Sequence, residues 1–245
     1  MARVYKHCVI GHGLTGTAAC KYLAASGQDV VLVGPSEAGG AAKGACYDEG
    51  RIYRILDPHE SWARLAERSI ARYDEISETS GVEFHTECGL LVFGVEDDFL
   101  KQTREVATRM GTQLEELTPA ELAERFPWMN APASTQVGLF QRRQAGHMSP
   151  RKLTAAQLKL AKMQGATYVD DVAASVTCET EGGLLSVELS GGRRLLAEKC
   201  WWPLVCTPLC SLFYRSRCAC RLRVPRLCWP SSLQRMPRFS AACRP

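Results

Sequence analysis

The sequence predicts an α/β protein whose chain starts with a strand–helix–strand unit. An apolar run at residues 8–10 leads into three closely spaced glycines, and residues 15–26 then form a helical segment with the small side chains of Ala18 and Ala19 on one face. A second apolar run, residues 29–33, follows Gly27, which is a typical helix end. A helix between two apolar runs of this length is typical of a parallel βαβ unit.

The glycines of the first turn fit the G-x-G-x-x-G pattern that holds dinucleotide phosphates. Gly11 can adopt backbone angles closed to other residues, Gly13 has no Cβ to block a pyrophosphate, and Gly16 lets the helix lie close to the strand. Leu14 and Thr15 open the helix, whose free N–H groups and dipole would face the phosphates. The pattern also fits a structural glycine turn, but its place between a strand and a helix favours a dinucleotide site.

The acidic residue that usually binds the adenosine ribose is missing from the second strand. An Asp or Glu usually ends this strand, whereas this chain has Gly34 there. Glu37 could replace it through a bent loop, and Ser36 could also form the hydrogen bond; a plain turn with an exposed Glu is the alternative. Because no arginine directly follows the strand, the sequence gives little support for binding the 2′-phosphate of NADP.

The segment after this unit resembles that of a known family. Residues 39–54 form a small, polar loop that ends in Arg-Ile-Tyr-Arg, and they are similar to the linker in flavoproteins of the D-amino-acid oxidase and sarcosine oxidase family, above all its sarcosine-oxidase branch. The resemblance covers residues 4–199 and includes the stretches 117–122, 125–128 and 165–169. It implies a Rossmann-like FAD-binding domain with a smaller inserted mixed-sheet substrate domain. It also implies an enzyme that oxidises a C–N bond in a small-molecule amino acid or N-methyl amine, with molecular oxygen taking the electrons.

The resemblance also implies roles for individual residues. Cys46, Gly50 and Arg51 would lie against the flavin, and Arg54 would bind a substrate carboxylate. A guanidinium suits this role because its planar fork of donors matches a carboxylate and always stays charged. The alternative is that both arginines are surface charges paired with nearby acidic residues, namely Asp48, Glu49 or Asp57.

The resemblance also implies an adenine contact through the backbone of a residue near the start of the strand expected at 174–178, and Ala173 or its neighbour Val172 fits that place. Simple packing is the alternative for this position. Together these assignments predict four segments: a first part of the FAD-binding domain at 1–83, a substrate-domain portion at 84–140, a second FAD-binding part at 141–199 and a tail at 200–245.

The tail differs abruptly from the rest of the chain. Residues 200–245 contain seven of the twelve cysteines and eight Arg but no Lys, Asp or Glu, so residues 1–199 hold 22 basic and all 26 acidic side chains. We expect an irregular tail that is disordered or loosely collapsed, and a change of reading frame or splicing near Lys199 would explain it. Zinc binding, and contact with a membrane or nucleic acid, are less favoured because the tail lacks His and its prolines interrupt any amphipathic helix.

Local signals predict the remaining elements. A capping box with proline at residues 57–60 would start a helix that runs to Ser80, and residues 118–121 repeat the same signal before another helix. Further helices are expected at 97–110 and 149–164. Strands are expected at 88–93, 166–169, 174–178, 185–189 and 194–197, with a hairpin turn at 190–192.

Other kinds of site have little support in the sequence. No apolar run of about 20 residues occurs and no secretory signal precedes the first strand, so we expect a cytoplasmic protein without a membrane span. His85 and His147 are isolated, adjacent carboxylates such as Asp170 and Asp171 are expected on solvated faces, and no metal site is predicted. Two other functions stay open: a non-catalytic fragment that binds FAD or a partner, and an NAD(P)-dependent enzyme.

Overall fold

The computed structural model describes residues 3–36, 46–178 and 183–202. Within these residues the chain forms a mixed α/β structure with three sheets. Its helices and strands follow in the order β1 (Val4–Ile10), α1 (Leu14–Ala25), β2 (Val30–Val33), β3 (Arg51–Tyr53), α2 (Glu60–Ile70), α3 (Tyr73–Ser80), β4 (His85–Glu87), β5 (Leu90–Gly94), α4 (Asp98–Met110), β6 (Glu115–Leu117), α5 (Pro119–Arg125), β7 (Val137–Gln141), β8 (Gly146–Met148), α6 (Pro150–Met163), β9 (Thr167–Val169), β10 (Ala173–Cys178), β11 (Leu185–Leu189) and β12 (Arg194–Trp201).

The largest sheet has six strands in the order β10-β11-β12-β1-β2-β9. The four strands from β12 to β9 are parallel, whereas β10, β11 and β12 form an antiparallel meander. The side chains of residues 8–10 of β1 and of all of β2 are apolar on both faces, as a doubly covered parallel sheet requires. Val9, Val30 and Leu32 pack against α1 and α6, while Val31 and Val33 pack with residues of the β10–β11 hairpin.

Helices α1 and α6 are held together by a buried polar contact as well as by apolar packing. The Thr17 hydroxyl lies 2.6 Å from Oε1 of Gln157, and both side chains are buried. Since a buried amide without a partner would cost about 1–3 kcal/mol, this bond fixes the two helices in one relative position. The glycine-rich turn at the start of α1 is thereby anchored to the core.

The two smaller sheets have three antiparallel strands each. The second sheet has the order β3-β8-β4, and the third has the order β5-β7-β6. The second sheet therefore takes one strand from before residue 84, one from within 84–140 and one from after it. The third sheet lies within 84–141. The domain boundaries derived from the sequence stay a prediction.

The region around residues 57–80 differs from the sequence prediction. The expected capping box is wrong, because α2 begins at Glu60 and its N-cap, His59, forms no side-chain cap. Asp57 instead accepts a hydrogen bond from the N–H of His59 at 2.9 Å and contacts the guanidinium of Arg54 at 3.5 Å. The expected single helix is also wrong, since α2 ends at Ile70 and α3 starts separately at Tyr73.

The other helix signals are confirmed. Thr118 and Glu121 form a capping box in which each side chain bonds the other residue's backbone N–H. Asp97 caps α4, which ends at Gly111 with the positive φ of 68° that favours glycine. Ser149 caps α6, with proline at the first helical position.

Strand β12 crosses the point where the sequence predicted a tail to begin. The prediction that the chain becomes irregular at Cys200 is wrong for Cys200 and Trp201, which pair in parallel with Cys8 and Val9 of β1. Strand pairing and packing continue there because Cys200 adjoins a core cluster that includes Cys8. The remainder of the predicted tail, residues 203–245, lies outside the described residues. Every helix in the described parts of the chain is too short or too polar to cross a membrane.

Candidate functional site

The predicted dinucleotide loop lies at the carboxyl end of the central strand β1. Gly11 has a φ of 121°, and its N–H donates to the carbonyl of Val33 at 2.7 Å, so the turn is tied to the end of β2. Gly13 is the N-cap of α1, and a Cβ placed there would meet nothing within 4 Å. The space above Gly13 is therefore open where a phosphate group would need to approach the backbone.

The first turn of α1 carries no charge of its own. Leu14 and Thr15 begin the helix, Gly16 is buried against the sheet, and no acidic residue or side-chain cap occupies the N-terminus. An uncapped, glycine-led N-terminus presents N–H groups and the positive end of the helix dipole to an anion. The five residues 11, 13, 14, 15 and 16 thus lie together at one strand-to-helix turn, and they fit a dinucleotide diphosphate.

The ring of His12, in this loop, packs against Tyr168 of β9. Their rings lie 5.0 Å apart between centroids, and the Tyr168 hydroxyl donates to the carbonyl of Gly34 at 2.9 Å. Burial, and then the nearby charge of Asp170, raise the pKa of Tyr168 to about 12, so the phenol stays neutral and can keep donating. This contact fixes the end of β2 against the end of β9.

Gly34 is required by close packing at the end of β2. A Cβ at this position would lie 2.5 Å from the backbone nitrogen of His12 and 2.6 Å from its Cβ. No side chain, acidic or otherwise, fits there without moving the backbone. Ser36 lies just beyond and is half-buried, while Glu37, the other predicted substitute, lies outside the described residues.

Asp170 is a polar residue at this edge that the sequence analysis assigned to a solvated face. Its carboxylate accepts hydrogen bonds from the backbone N–H and the hydroxyl of Ser36, at 2.6 and 2.5 Å. The hydroxyl contact first, and then the backbone one, lower the pKa of Asp170 below its usual value. The expected solvated position is confirmed, since Asp170 is exposed, but the sequence did not indicate that β2 and β9 bring Ser36 and Asp170 together from positions far apart in the chain. The signal available in the sequence was an acidic residue directly after the short apolar run that forms β9, the strand beside β2.

The segment that carries the flavin-facing residues lies around strand β3. Cys46 is half-buried, whereas Gly50 and Arg51 are exposed. The carboxylate of Asp48 accepts bonds from Nε of Arg51 at 2.9 Å and from the N–H of Gly50 at 3.2 Å. The predicted alternative of a surface ion pair for Arg51 is thus present, and a contact of Arg51 with flavin stays a prediction.

Arg54 follows β3, and one side of its guanidinium is held by neighbouring residues. Its Nη1 donates to the carbonyl of Leu56 and lies 3.5 Å from Asp57, and the side chain is about one-third exposed. Both contacts use Nη1, which leaves Nη2 and Nε without a hydrogen bond among the described residues. An arginine held on one side and open on the other can still bind a carboxylate.

Gln141 fixes the backbone directly after Arg54, and the sequence analysis missed it. Its buried Oε1 accepts hydrogen bonds from the N–H groups of Ile55 and Leu56, both at 3.1 Å. Its Nε2 donates to two carbonyls of the turn after β7, at 2.8 and 2.9 Å. All the polar atoms of this amide are therefore used to join the arginine segment to β7, a pairing that no local pattern indicates.

Glu49 attaches the same segment to the N-terminus of α6. Its carboxylate accepts from the hydroxyl of Ser149 at 2.9 Å and from Nη1 of Arg151 at 2.7 Å. These two bonds, the arginine one first, lower the pKa of Glu49. Arg151 also lies 4.1 Å above the ring of Tyr47. Residues 47–49 are thereby positioned by the N-terminus of α6.

The remaining predicted residues are placed as follows. Ala173 is buried at the start of β10 and pairs with Leu189. The N–H of Val172 donates to Asp171 and its carbonyl accepts from Ser190, so its backbone groups already serve the β10–β11 turn. The adenine contact assigned to Ala173 stays a prediction.

Of the two histidines described as isolated, His147 is exposed, but His85 has a partner. Nε2 of His85 lies 3.0 Å from Oδ1 of Asp74, and the imidazole packs among aromatic rings. The expectation that His85 has no partner is wrong, because α3 brings Asp74 beside β4. No cluster of three or more metal-ligating side chains occurs in the described ranges.

Comparison with known proteins decides the family. A sequence model of the DAO family, described as FAD dependent oxidoreductase, matches residues 6–206. The chain belongs to the DAO family. This confirms the family that the Arg-Ile-Tyr-Arg segment indicated, and the match continues across Cys200 into the region that the sequence analysis had treated as an unrelated tail.

Individual relatives agree with this assignment. Monomeric sarcosine oxidase of Streptomyces avermitilis is 32% identical over 170 residues, which are 68% of this chain and 43% of that protein. The open form of NikD, an unusual amino acid oxidase essential for nikkomycin biosynthesis, has a TM-score of 0.64 at 22% identity and matches 82% of this chain and 51% of NikD. L-proline dehydrogenase from P. horikoshii has a TM-score of 0.68 at 19% identity, over 87% of this chain and 55% of that enzyme. The two structures confirm the predicted α/β fold, and the chain spans about half the length of these relatives.

Proposed function

We propose that this DAO-family chain binds FAD and forms the cofactor-binding part of an oxidoreductase that oxidises a C–N bond of an amino acid or N-methyl amine. The observation that carries the proposal is the glycine turn between β1 and α1, which is open above Gly13 and has no acidic residue at the helix N-terminus. This arrangement suits the diphosphate of a dinucleotide. The family match and the sarcosine oxidase relative support FAD as that dinucleotide and a small amine or amino acid as the substrate.

Each part of the site has a stated role in this proposal. Gly11, Gly13 and Gly16, with the N–H groups that Leu14 and Thr15 contribute, hold the diphosphate. Cys46, Gly50 and Arg51 lie along the flavin, and Ala173 contacts the adenine through its backbone. When bound, FAD supplies the acceptor for two electrons from the substrate C–N bond, and molecular oxygen is the final acceptor.

Arg54 is proposed to orient the substrate. Its Nη1 is anchored to the carbonyl of Leu56, so the guanidinium is held in place before a substrate arrives. Its remaining donors can bind a substrate carboxylate in a bidentate manner and thus turn the C–N bond toward the flavin. Gln141 supports this orientation by fixing the two backbone amides after Arg54.

The absorption spectrum of the purified full chain tests FAD binding. We expect a yellow protein that retains FAD near one equivalent, with flavin released on denaturation and identified by chromatography. A protein that is folded by circular dichroism but binds neither added FAD nor retained flavin would refute the proposal. Retention of a nicotinamide dinucleotide without flavin would support the NAD(P) alternative instead.

Peroxide formation tests the reaction and the role of Arg54. With sarcosine or a set of N-methyl and D-amino acids, we expect peroxide release that falls at least about tenfold in Arg54→Ala, while FAD content stays unchanged. Arg64→Ala is the matched control, because Arg64 is an exposed arginine of α2 whose ion-pair partner among the described residues is Glu60 on the same helix. Equal activity in the Arg54 and Arg64 variants would contradict the assigned role.

A second function has a specific observation in its favour. Because the chain spans 43% of the matched sarcosine oxidase, a non-catalytic FAD-binding or interaction fragment is also consistent with the fold. Retained FAD together with no peroxide from any tested amine would favour this second function. The cytoplasmic location expected from the sequence stays a prediction.

A further inference from the structure

We propose that Asp170, together with Ser36, binds the ribose hydroxyls of the adenosine part of the cofactor, in place of the acidic residue missing from the end of β2. The proposal rests on the proposed function in one respect, namely that the dinucleotide loop holds FAD. It assigns a cofactor-binding role to two residues. One of them, Asp170, directly follows β9, whereas this acid usually occurs at the end of the second strand.

Strand register places Asp170 at the required level of the sheet. Strands β2 and β9 are parallel neighbours, and Val33 is the direct partner of Val169. Gly34 and Asp170 are therefore the first residues beyond the paired ends of adjacent strands. Since ligands of such sheets bind beyond the carboxyl ends of the strands, both positions border the predicted adenosine site.

The close packing at Gly34 explains why the acid is absent from β2. A Cβ at this residue would lie 2.5 Å from the backbone nitrogen of His12, which belongs to the dinucleotide loop itself. An aspartate at Gly34 would displace the loop that holds the diphosphate. The neighbouring strand offers the nearest position from which a carboxylate can reach the same edge without this collision.

The carboxylate of Asp170 has both the orientation and the capacity for this role. It points across the end of β2, because its two oxygens accept from the backbone N–H and the hydroxyl of Ser36. A carboxylate can accept about four hydrogen bonds. The two bonds from Ser36 therefore leave capacity for hydrogen bonds from ribose hydroxyls. Asp170 is exposed, so its carboxylate is open to a ligand, and the two bonds from Ser36, with smaller contributions from His12 and Tyr168, lower its pKa.

Ser36 contributes in two ways. Its hydroxyl and N–H hold the Asp170 carboxylate in a fixed orientation, which reduces the entropy lost when a ligand binds. Its hydroxyl oxygen also retains acceptor capacity toward a ribose hydroxyl. A negative charge at this edge repels a 2′-phosphate, so the site would select an adenosine with free ribose hydroxyls.

Nucleotide binding by the full chain tests the proposal without measuring activity. By calorimetry, wild-type protein is expected to bind FAD, and to bind ADP more tightly than 2′-deoxy-ADP or 3′-deoxy-ADP. Asp170→Ala is expected to weaken FAD and ADP binding about 10- to 100-fold, and to abolish the preference for ADP over the deoxy analogues. Ser36→Ala is expected to weaken binding in the same direction by a smaller factor.

Asp29→Ala is the matched control. Asp29 is an exposed carboxylate before the opposite end of β2, where it pairs with Arg3. We expect this variant to bind FAD and ADP like the wild type. If Asp170→Ala does not fold by circular dichroism, Asp170→Asn serves instead, because it keeps the side-chain shape while removing the charge, and it should lose affinity in the same direction.

The outcomes separate this inference from the proposed function. A folded wild-type protein that binds neither FAD nor ADP would refute the proposed function. If the wild type binds FAD, and the Asp170 variant binds it equally well and still prefers ADP over the deoxy analogues, FAD binding stands and the role of Asp170 is refuted. Loss of affinity in the Asp29 control equal to that in the Asp170 variant would also refute it.

Discussion

Restoring an acidic residue to the end of β2 should damage the protein, although it would restore the usual dinucleotide motif. In Gly34→Asp, the new Cβ would lie 2.5 Å from the nitrogen and 3.1 Å from the Cα of His12. Ordinary contacts between heavy atoms are about 3.5–4.0 Å, so the shorter distance is roughly 1–1.5 Å too short and the longer one roughly 0.4–0.9 Å. The nearest atom belongs to the backbone, so no side-chain rotation can relieve the collision.

The expected size of this effect follows from the cost of overpacking. Forced shifts in a well-packed region cost about 1–3 kcal/mol, and for a chain of this length each kcal/mol lowers the melting temperature by about 2–4 °C. Thermal and urea unfolding of Gly34→Asp and Gly34→Ala would measure the loss. Both variants should be destabilised, because the alanine already carries the colliding Cβ. FAD affinity should fall as well, since the colliding atoms belong to the dinucleotide loop.

A second glycine provides the control. A Cβ added at Gly94 of β5 would meet nothing within 4 Å, so Gly94→Ala should change the free energy of unfolding by less than about 0.5 kcal/mol. The reasoning is refuted if Gly34→Ala melts at the wild-type temperature, or if Gly34→Asp binds FAD more tightly than the wild type. Either result would mean that the end of β2 has room for a side chain.

Two further predictions concern the attachment of the arginine segment. Gln141→Ala should lower the free energy of unfolding by at least about 2 kcal/mol in urea titrations, because it leaves the buried amides after Arg54 without partners. Gln136→Ala is the control. It removes one exposed hydrogen bond and should lower the free energy of unfolding far less. The lowered pKa of Glu49 beside Arg151 means that its stabilising effect is complete above about pH 5 and is lost as the pH falls through the folded-state pKa. The melting-temperature difference between wild type and Glu49→Gln should therefore be largest above about pH 5 and shrink on acidification below the ordinary pKa of Glu; a difference that grows as the pH falls would contradict this.

Features encoded by neighbouring residues could be predicted from the sequence. The glycine turn, the capping box of Thr118 and the glycine that ends α4 all depend on residues within a few positions of one another, and the structure confirms each. The capping box at residues 57–60 had the same local pattern but failed. There the Asp57 carboxylate bonds the N–H of His59 and the side chain of Arg54, which the pattern does not include.

Features that depend on distant pairing could not be predicted in this way. Asp170 meets Ser36 across 134 residues, and Gln141 meets Ile55 across 86 residues. Both contacts exist only because particular strands are neighbours in the folded sheets. A single Asp or Gln in the sequence does not indicate such a distant partner. The continuation of β12 through Cys200 was missed for the same reason, since only its partner β1 shows that the strand goes on.

The pairing of β1 with β12 has a consequence for how the protein is made. Strand β1 leaves the ribosome long before β12, and one of its edges stays uncovered until β12 has been made, because Val4 is the partner of Leu196. Until then one side of β1 offers unpaired N–H and C=O groups that another chain can bind. A product that stops short of residue 194 would keep that edge open permanently, so premature termination should yield aggregates rather than a smaller folded protein.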